Sequence, residues 1–322
     1  MKLRQQGGPK ISNRTLKPSL RLSRQARRSN VVESVGDLPN FLLIGAMKAG
    51  TTSLYHYLRA HPQIYMPAFK APEFFAGELH GRRGIDWYRK QFAAAGPGVV
   101  AIGEASNVYT KYPRYQGVPQ RIAAHIPDVR LIYVVRNPIE RIRSHYQTRV
   151  AEGTERAPFE VAVFENPIYL DYSRYSLQIE QYMSCFPREQ LLVLTSDDLR
   201  AARAATVRRA YEFLGVDVGF VPAELDRDFY LTSERASRSP LPVSLKKGLK
   251  KHFPATKRFK ELESNAVRAL NRLRSRTDNG PVPAKSFAIA DETRAKLIAL
   301  LENDVRRLRS FLGSEFDGWG IA

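Results

Sequence analysis

The sequence predicts an α/β fold, a P-loop-like parallel sheet flanked by helices, and three observations carry that prediction. Short apolar runs recur at 41–46, 99–103, 131–135 and 191–194. Each is continuous rather than alternating, as strands covered on both faces are. Helical patterns lie between them, and alternating strands and helices give parallel sheets with right-handed crossovers. The first run also opens straight into a glycine-containing loop and then a helix. In open sheets of this kind ligands bind at the carboxyl ends of the strands.

Taken in order, residues 41–46 form the first strand, and residues 53–60 place Leu54, Tyr57 and Leu58 on one helical face. The runs at 99–103 and 131–135 supply the next two strands. After the second of these, Asn137 can cap a helix and Pro138 suits its first turn. The run at 191–194 is the fourth strand, followed by an amphipathic helix at 203–214 closed by Gly215 and another at 293–312 closed by Gly313. These elements make one domain over residues 38–322, preceded by a basic arm at 1–37 that is predicted to be disordered because it lacks hydrophobic periodicity.

The chain has 322 residues, 43% of them hydrophobic, enough to bury a sizeable core. Its 51 Lys and Arg against 32 Asp and Glu give a net charge of +19. That excess is peripheral: residues 1–30 hold nine basic residues and no acid, and residues 240–280 hold eleven against three acids. The remainder is almost neutral and carries no helix-turn-helix, zinc-finger or RNA-binding signature, so no specific nucleic-acid partner is expected. The segment 243–260 interleaves Leu245, Leu249 and Phe253 with lysines. It reads as a solvated basic helix in preference to an interfacial helix in peripheral contact with an anionic membrane. Cys185 is the single cysteine, which excludes an internal disulfide and zinc sites built on paired cysteines. No apolar run approaches the roughly 20 residues of a membrane span. A cytoplasmic location follows as the expectation, with the inner membrane surface as a site of contact.

The loop Gly45-Ala-Met-Lys48-Ala-Gly50-Thr51-Thr52-Ser53 lies between a strand and a helix, where backbone N–H groups can cradle an anion. Against the nucleotide-triphosphatase pattern G-x-x-x-x-G-K-[ST], Gly45 and Gly50 fit, but Thr51 stands where the lysine belongs and the basic residue is Lys48. The run at 131–135 ends in Arg136 rather than in an aspartate that would hold magnesium. Both departures point to a nucleotide without a γ-phosphate and without a metal, and they weigh against the alternative of a P-loop kinase or triphosphatase. Arg136 can fork onto a second phosphate, to which Ser144 can add a hydroxyl donor.

KAGTTSLYHYL together with VVRNPIERIRSHY resembles the sulfotransferase family. Lys70-Ala-Pro-Glu-Phe-Phe, Gly84-Ile-Asp-Trp-Tyr88, Gly103-Glu104-Ala-Ser-Asn-Val-Tyr109, Tyr175-Ser-Leu-Gln-Ile-Glu-Gln-Tyr182 and a C-terminal helix ending near Trp319 are similar to the heparan sulfate sulfotransferase branch and its bacterial relatives. The likeness covers about residues 38–320. It implies 3'-phosphoadenosine-5'-phosphosulfate (PAPS) as co-substrate. Lys48, Ala49, Gly50, Thr51, Thr52 and Ser53 would bind the 5'-phosphosulfate, and Arg136 and Ser144 the 3'-phosphate. It also implies Glu104 as general base, Lys48 as the cation on the bridging oxygen of the leaving group, and Lys70 as a second lysine near the acceptor. The acceptor implied is a small molecule, glycan or glycolipid bearing a hydroxyl or an amine. The eukaryotic branch completes its 3'-phosphate pocket with a late loop holding a cysteine pair. Here Tyr230, Ser233, Arg235, Ser237 and Arg238 lie in the comparable region, with Arg238 as the expected contact. The cytosolic branch uses a histidine base, but His56, His61 and His145 read here as structural.

Overall fold

The computed structural model describes residues 38–77, 83–227, 229 and 287–322, all within the unit Gly36–Ala322. The arm at 1–37, the basic segment at 243–260 and Arg238 lie outside the described residues.

The elements follow one another as β1 (Phe41–Gly45), α1 (Thr51–Arg59), β2 (Ile64–Tyr65), α2 (Gly84–Lys90), β3 (Ala101–Ala105), α3 (Val118–His125), β4 (Arg130–Val135) and α4 (Pro138–Ala151). After these come α5 (Phe159–Glu165), α6 (Ile168–Asp171), α7 (Tyr175–Met183), β5 (Leu191–Thr195), α8 (Asp198–Ala201), α9 (Arg203–Leu214) and α10 (Asp291–Leu312). The strands form one sheet in the order β2-β3-β1-β4-β5, and every pairing is parallel. The apolar runs are its interior: all of β1 and β3, and β4 from Leu131 onward, are buried. At about 1.5–3 kcal/mol per fully buried aliphatic side chain, these runs are what pull the helices onto both faces.

Two strands differ from the sequence prediction. β2 is only two residues long, too short for any periodicity to show, and exists through its pairing of Ile64 with Ala101 and Tyr65 with Ile102. β3 starts two residues later than the run at 99–103, where the N–H groups of Val100 and Ala101 both turn to the carbonyl of Gln63 at 2.8 and 3.1 Å, and it continues to Ala105, whose amide donates to the carbonyl of Lys70 at 3.3 Å. Inside β3, Gly103 lies opposite Phe41. A Cβ at Gly103 would stand 2.3 Å from that ring, so the close approach of the two strands requires glycine.

The helix boundaries follow local chemistry. Asn137 Oδ1 accepts from the amides of Ile139 at 3.0 Å and Glu140 at 3.2 Å, and Pro138 occupies the first turn of α4, as expected of this pair. Gly215 ends α9 in the left-handed conformation. A second apolar cluster, with Ile142, Phe159, Val163, Tyr169, Leu297 and Leu301 at its centre, packs α10 against α4, α5 and α6. Asp304 of α10 accepts from the amides of Ser176 at 3.1 Å and Leu177 at 3.0 Å, capping α7 from a distant part of the chain. Among the described residues no helix is long and apolar enough to cross a membrane.

Candidate active site

The carboxyl ends of the strands open into a cavity of about 780 Å³, a size that suits a nucleotide-sized ligand. Lys48, Gly50, Thr51, Thr52 and Ser53 form part of its wall, and Arg136 and Ser144 form another. The two elements nominated by the sequence therefore face one another across a single space.

The first wall is the turn between β1 and α1. Gly50 adopts φ 97° as the residue preceding α1, a left-handed conformation that glycine takes without steric cost. Lys48 is held at φ 73°, a region that other residues seldom occupy and that concentrates at functional sites. This conformation turns the loop over the start of α1, where unsatisfied amides favour an anion. Thr52 Oγ1 accepts from Lys70 Nζ at 2.7 Å, so Lys70 is fastened to the same helix end. Burial pushes the Lys70 ammonium down to about 8. Ser53 Oγ is engaged with the backbone of Phe229, accepting from its amide at 3.2 Å.

The second wall is the end of β4 and the inner face of α4. Arg136 follows the last strand residue, Val135, and its Nη1 donates to the carbonyl of Lys48 at 3.3 Å. Burial lowers its pKa, the charge of Arg200 lowers it further and Glu140 opposes, but a guanidinium remains charged throughout. Glu140 pairs with Arg136 at 3.8 Å and also with Arg143. Ser144 lies one helical face along and reaches the cavity although it is only 7% exposed. His145, Thr148 and Arg149 continue that face.

Two of the residues nominated from the sequence stand off the cavity wall. Ala49 is fully buried, and its amide donates to the carbonyl of Ala46 at 3.2 Å, so it shapes the turn from within. Glu104 does not stand at the mouth, as expected from a strand ending at 103. The strand continues to Ala105, and the pleat sends neighbouring side chains to opposite faces. Ala105 meets the cavity, whereas Glu104 is fully buried. Its Oε1 accepts from Tyr109 Oη at 2.7 Å and from Tyr88 Oη at 3.3 Å, while Oε2 has no hydrogen-bond partner. Burial pushes its carboxyl up to about 7 against the opposing effect of those hydroxyls. Lys70 does reach the wall.

The histidines behave as structural residues. His61 Nε2 lies 2.8 Å from the carbonyl of Asp217, and its Nδ1 accepts from the amide of Gln63 at 3.0 Å. His56 stacks on Phe229 at 4.1 Å. His145 lines the cavity, but burial and then Arg141, Lys111, Arg149 and Lys48 push it down to about 2. It stays neutral and is too weak a base to hold a proton.

The wall also contains residues that the sequence reading passed over: Lys111, Glu73, Asn107 and Glu152. Burial lowers Lys111 to about 8, with Glu73 pulling the other way. Glu73 sits inside the KAPEFF segment, and Lys111 follows GEASNVY by two residues. Both are charged residues within two positions of those motifs.

Over 203 residues the chain is 29% identical to mouse (Mus musculus) bifunctional heparan sulfate N-deacetylase/N-sulfotransferase 2, covering 56% of this chain and 22% of that protein. It is 29% identical over 193 residues to mouse heparan sulfate glucosamine 3-O-sulfotransferase 3A1, covering 57% of this chain and 47% of the other. The match thus spans less than half the length of either relative. The solved structure of a sulfotransferase from Alicyclobacillus acidocaldarius matches with a TM-score of 0.61 and 25% identity, over 88% of this chain and 98% of that one. A family model described as the sulfotransferase domain matches residues 38–253, and the chain therefore belongs to the sulfotransferase family.

Proposed function

We propose that this enzyme transfers a sulfonate from PAPS to a hydroxyl, or an amine, of a carbohydrate, glycolipid or related acceptor, by in-line displacement and with a glutamate as base. The observation that carries this reading is the meeting of Arg136 with the loop at Lys48 on one cavity, which offers two cationic anchors to two ends of one nucleotide. In it, the loop amides and Lys48 hold the 5'-phosphosulfate, and Arg136 with Ser144 holds the 3'-phosphate. Lys48 offsets charge as it develops on the leaving oxygen, where a fixed cation has most effect. The glycan-modifying relatives support a glycan or glycolipid acceptor over other classes.

Incubation of the full chain with ³⁵S-labelled donor and separate glycan, glycolipid and phenol fractions tests the reading. Label transferred to one fraction is the expected result, and magnesium-dependent ATP turnover without label transfer would overturn it in favour of a kinase or triphosphatase. Thr51 at the position of the P-loop lysine and Arg136 at the strand end argue against that second reading.

A further inference from the structure

The sulfonate-transfer reading needs a group that takes the acceptor's proton at the cavity surface. A general base must come within hydrogen-bond reach of the proton it abstracts, directly or through one water. Glu104 is fully buried behind Ala105 and engaged by two tyrosines. His145 is held neutral and weakly basic by its burial and then by the cations around it. Two carboxylates belong to the cavity wall among the described residues, Glu73 and Glu152.

Their positions differ. Glu152 directly follows α4, which ends at Ala151, eight residues beyond Ser144. Helical rise puts that separation at about 12 Å along the axis, which places Glu152 beyond the 3'-phosphate wall. Glu73 lies between the phosphate loop and the end of β3. Three residues before it, Lys70 is fastened to Thr52 at the start of α1. The amide of Glu73 donates to Ser106 Oγ at 3.0 Å, immediately after β3. Its backbone is held at φ 54°, a conformation that is costly for a non-glycine residue and persists only where its surroundings fix it. Its charge is felt by both Lys111 and Glu104.

We propose that Glu73, rather than Glu104, is the general base of this enzyme, with Glu104 a positioning residue that fixes Tyr88 and Tyr109 behind the wall. The proposal rests on the sulfotransferase reading. In the step, the Glu73 carboxylate takes the proton from the acceptor hydroxyl as the acceptor oxygen forms its bond to sulfur. The bond from sulfur to the 5'-phosphate oxygen breaks, and its electron pair leaves with adenosine 3',5'-bisphosphate. Glu73 then passes the proton to water.

The test compares the full-length wild type with Glu73→Gln and Glu104→Gln. Adenosine 3',5'-bisphosphate binding is measured by calorimetry. Turnover is followed as a function of pH with labelled donor, using as acceptor whichever fraction takes label or, failing one, water in donor hydrolysis. Glu73→Gln is expected to bind the bisphosphate as wild type does, to lose about 10²- to 10⁴-fold in kcat, the usual share of general-base catalysis, and to lose the acid limb of its kcat/KM profile. Glu104→Gln is expected to keep that limb. A loss below tenfold in Glu73→Gln, or an acid limb that survives there and disappears in Glu104→Gln, overturns the assignment. If Glu104→Gln fails to fold, the Glu73 variant decides alone. A wild type that does not bind the bisphosphate overturns the donor reading itself, and the base with it.

Discussion

The Arg136 guanidinium donates to the main-chain carbonyl of Lys48 at 3.3 Å, joining the end of β4 to the loop after β1. β1 and β4 are neighbours in the sheet, so two elements 88 residues apart in sequence present their charges to one space. That contact holds the guanidinium and the loop on the wall of the same cavity.

Replacing Arg136 with alanine removes the proposed 3'-phosphate anchor and leaves the loop. Adenosine 3',5'-bisphosphate should bind roughly 10- to 100-fold more weakly, the range for one charge-assisted phosphate contact. Adenosine 5'-phosphosulfate should change much less. Calorimetry with both ligands checks this, and equal weakening would move Arg136 away from the 3'-phosphate.

Lys70 and Lys111 are both held near 8 by burial. A lysine attracts an anionic donor only while protonated, so their attraction is complete below that value and is lost as pH rises through it. The kcat/KM for the donor should therefore fall above about pH 8. Lys111→Met should lower kcat/KM and flatten the limb. A profile level to pH 10 would show that neither charge serves donor capture.

Glu104 gives a stability prediction of definite sign. Its folded pKa, about 7, lies above the ordinary value of 4.5, so between these values the native state holds a proton that the unfolded chain releases. Stability is then greatest below the lower value and falls as pH rises through the upper one, by on the order of 3 kcal/mol. Glu104→Gln should abolish that part of the dependence. Urea titrations at pH 5 and pH 8 on both proteins measure it, and an unchanged difference between the two pH values would contradict the cause given.

Asp304→Ala should cost roughly 2–4 kcal/mol, because it leaves one buried and one half-buried amide at the start of α7 without an acceptor. Chemical denaturation provides the measurement. A loss under 0.5 kcal/mol would mean that the helix end finds other partners.

What the sequence made legible was local. The continuous apolar runs located four of the strands. Asn137 with Pro138 marked the start of α4, and Gly215 marked the end of α9, because each of these residues acts on backbone within a few positions. Glu104 was misplaced for the opposite reason. Whether it stands at a cavity mouth or inside a sheet depends on where β3 ends, and there the partners are remote in sequence: the amides of Ala105 and Ser106 donate to the carbonyls of Lys70 and Leu43. Asp304 caps Ser176 from 128 residues away, and Lys111 reaches the wall only through the packing of its loop. No periodicity encodes such contacts. The late segment around Arg238 lies outside the described residues, so its expected contact with the 3'-phosphate stands as a proposal.

The most direct measurement is a calorimetric titration of the full chain with adenosine 3',5'-bisphosphate in EDTA, set beside adenosine 5'-monophosphate and ATP. Tight binding of the bisphosphate without a divalent ion, at least tenfold stronger than that of the monophosphate, is the expected result. Bisphosphate binding no stronger than that of the monophosphate, or binding that appears only with magnesium, would contradict the pairing of Lys48 and Arg136 as two simultaneous phosphate anchors.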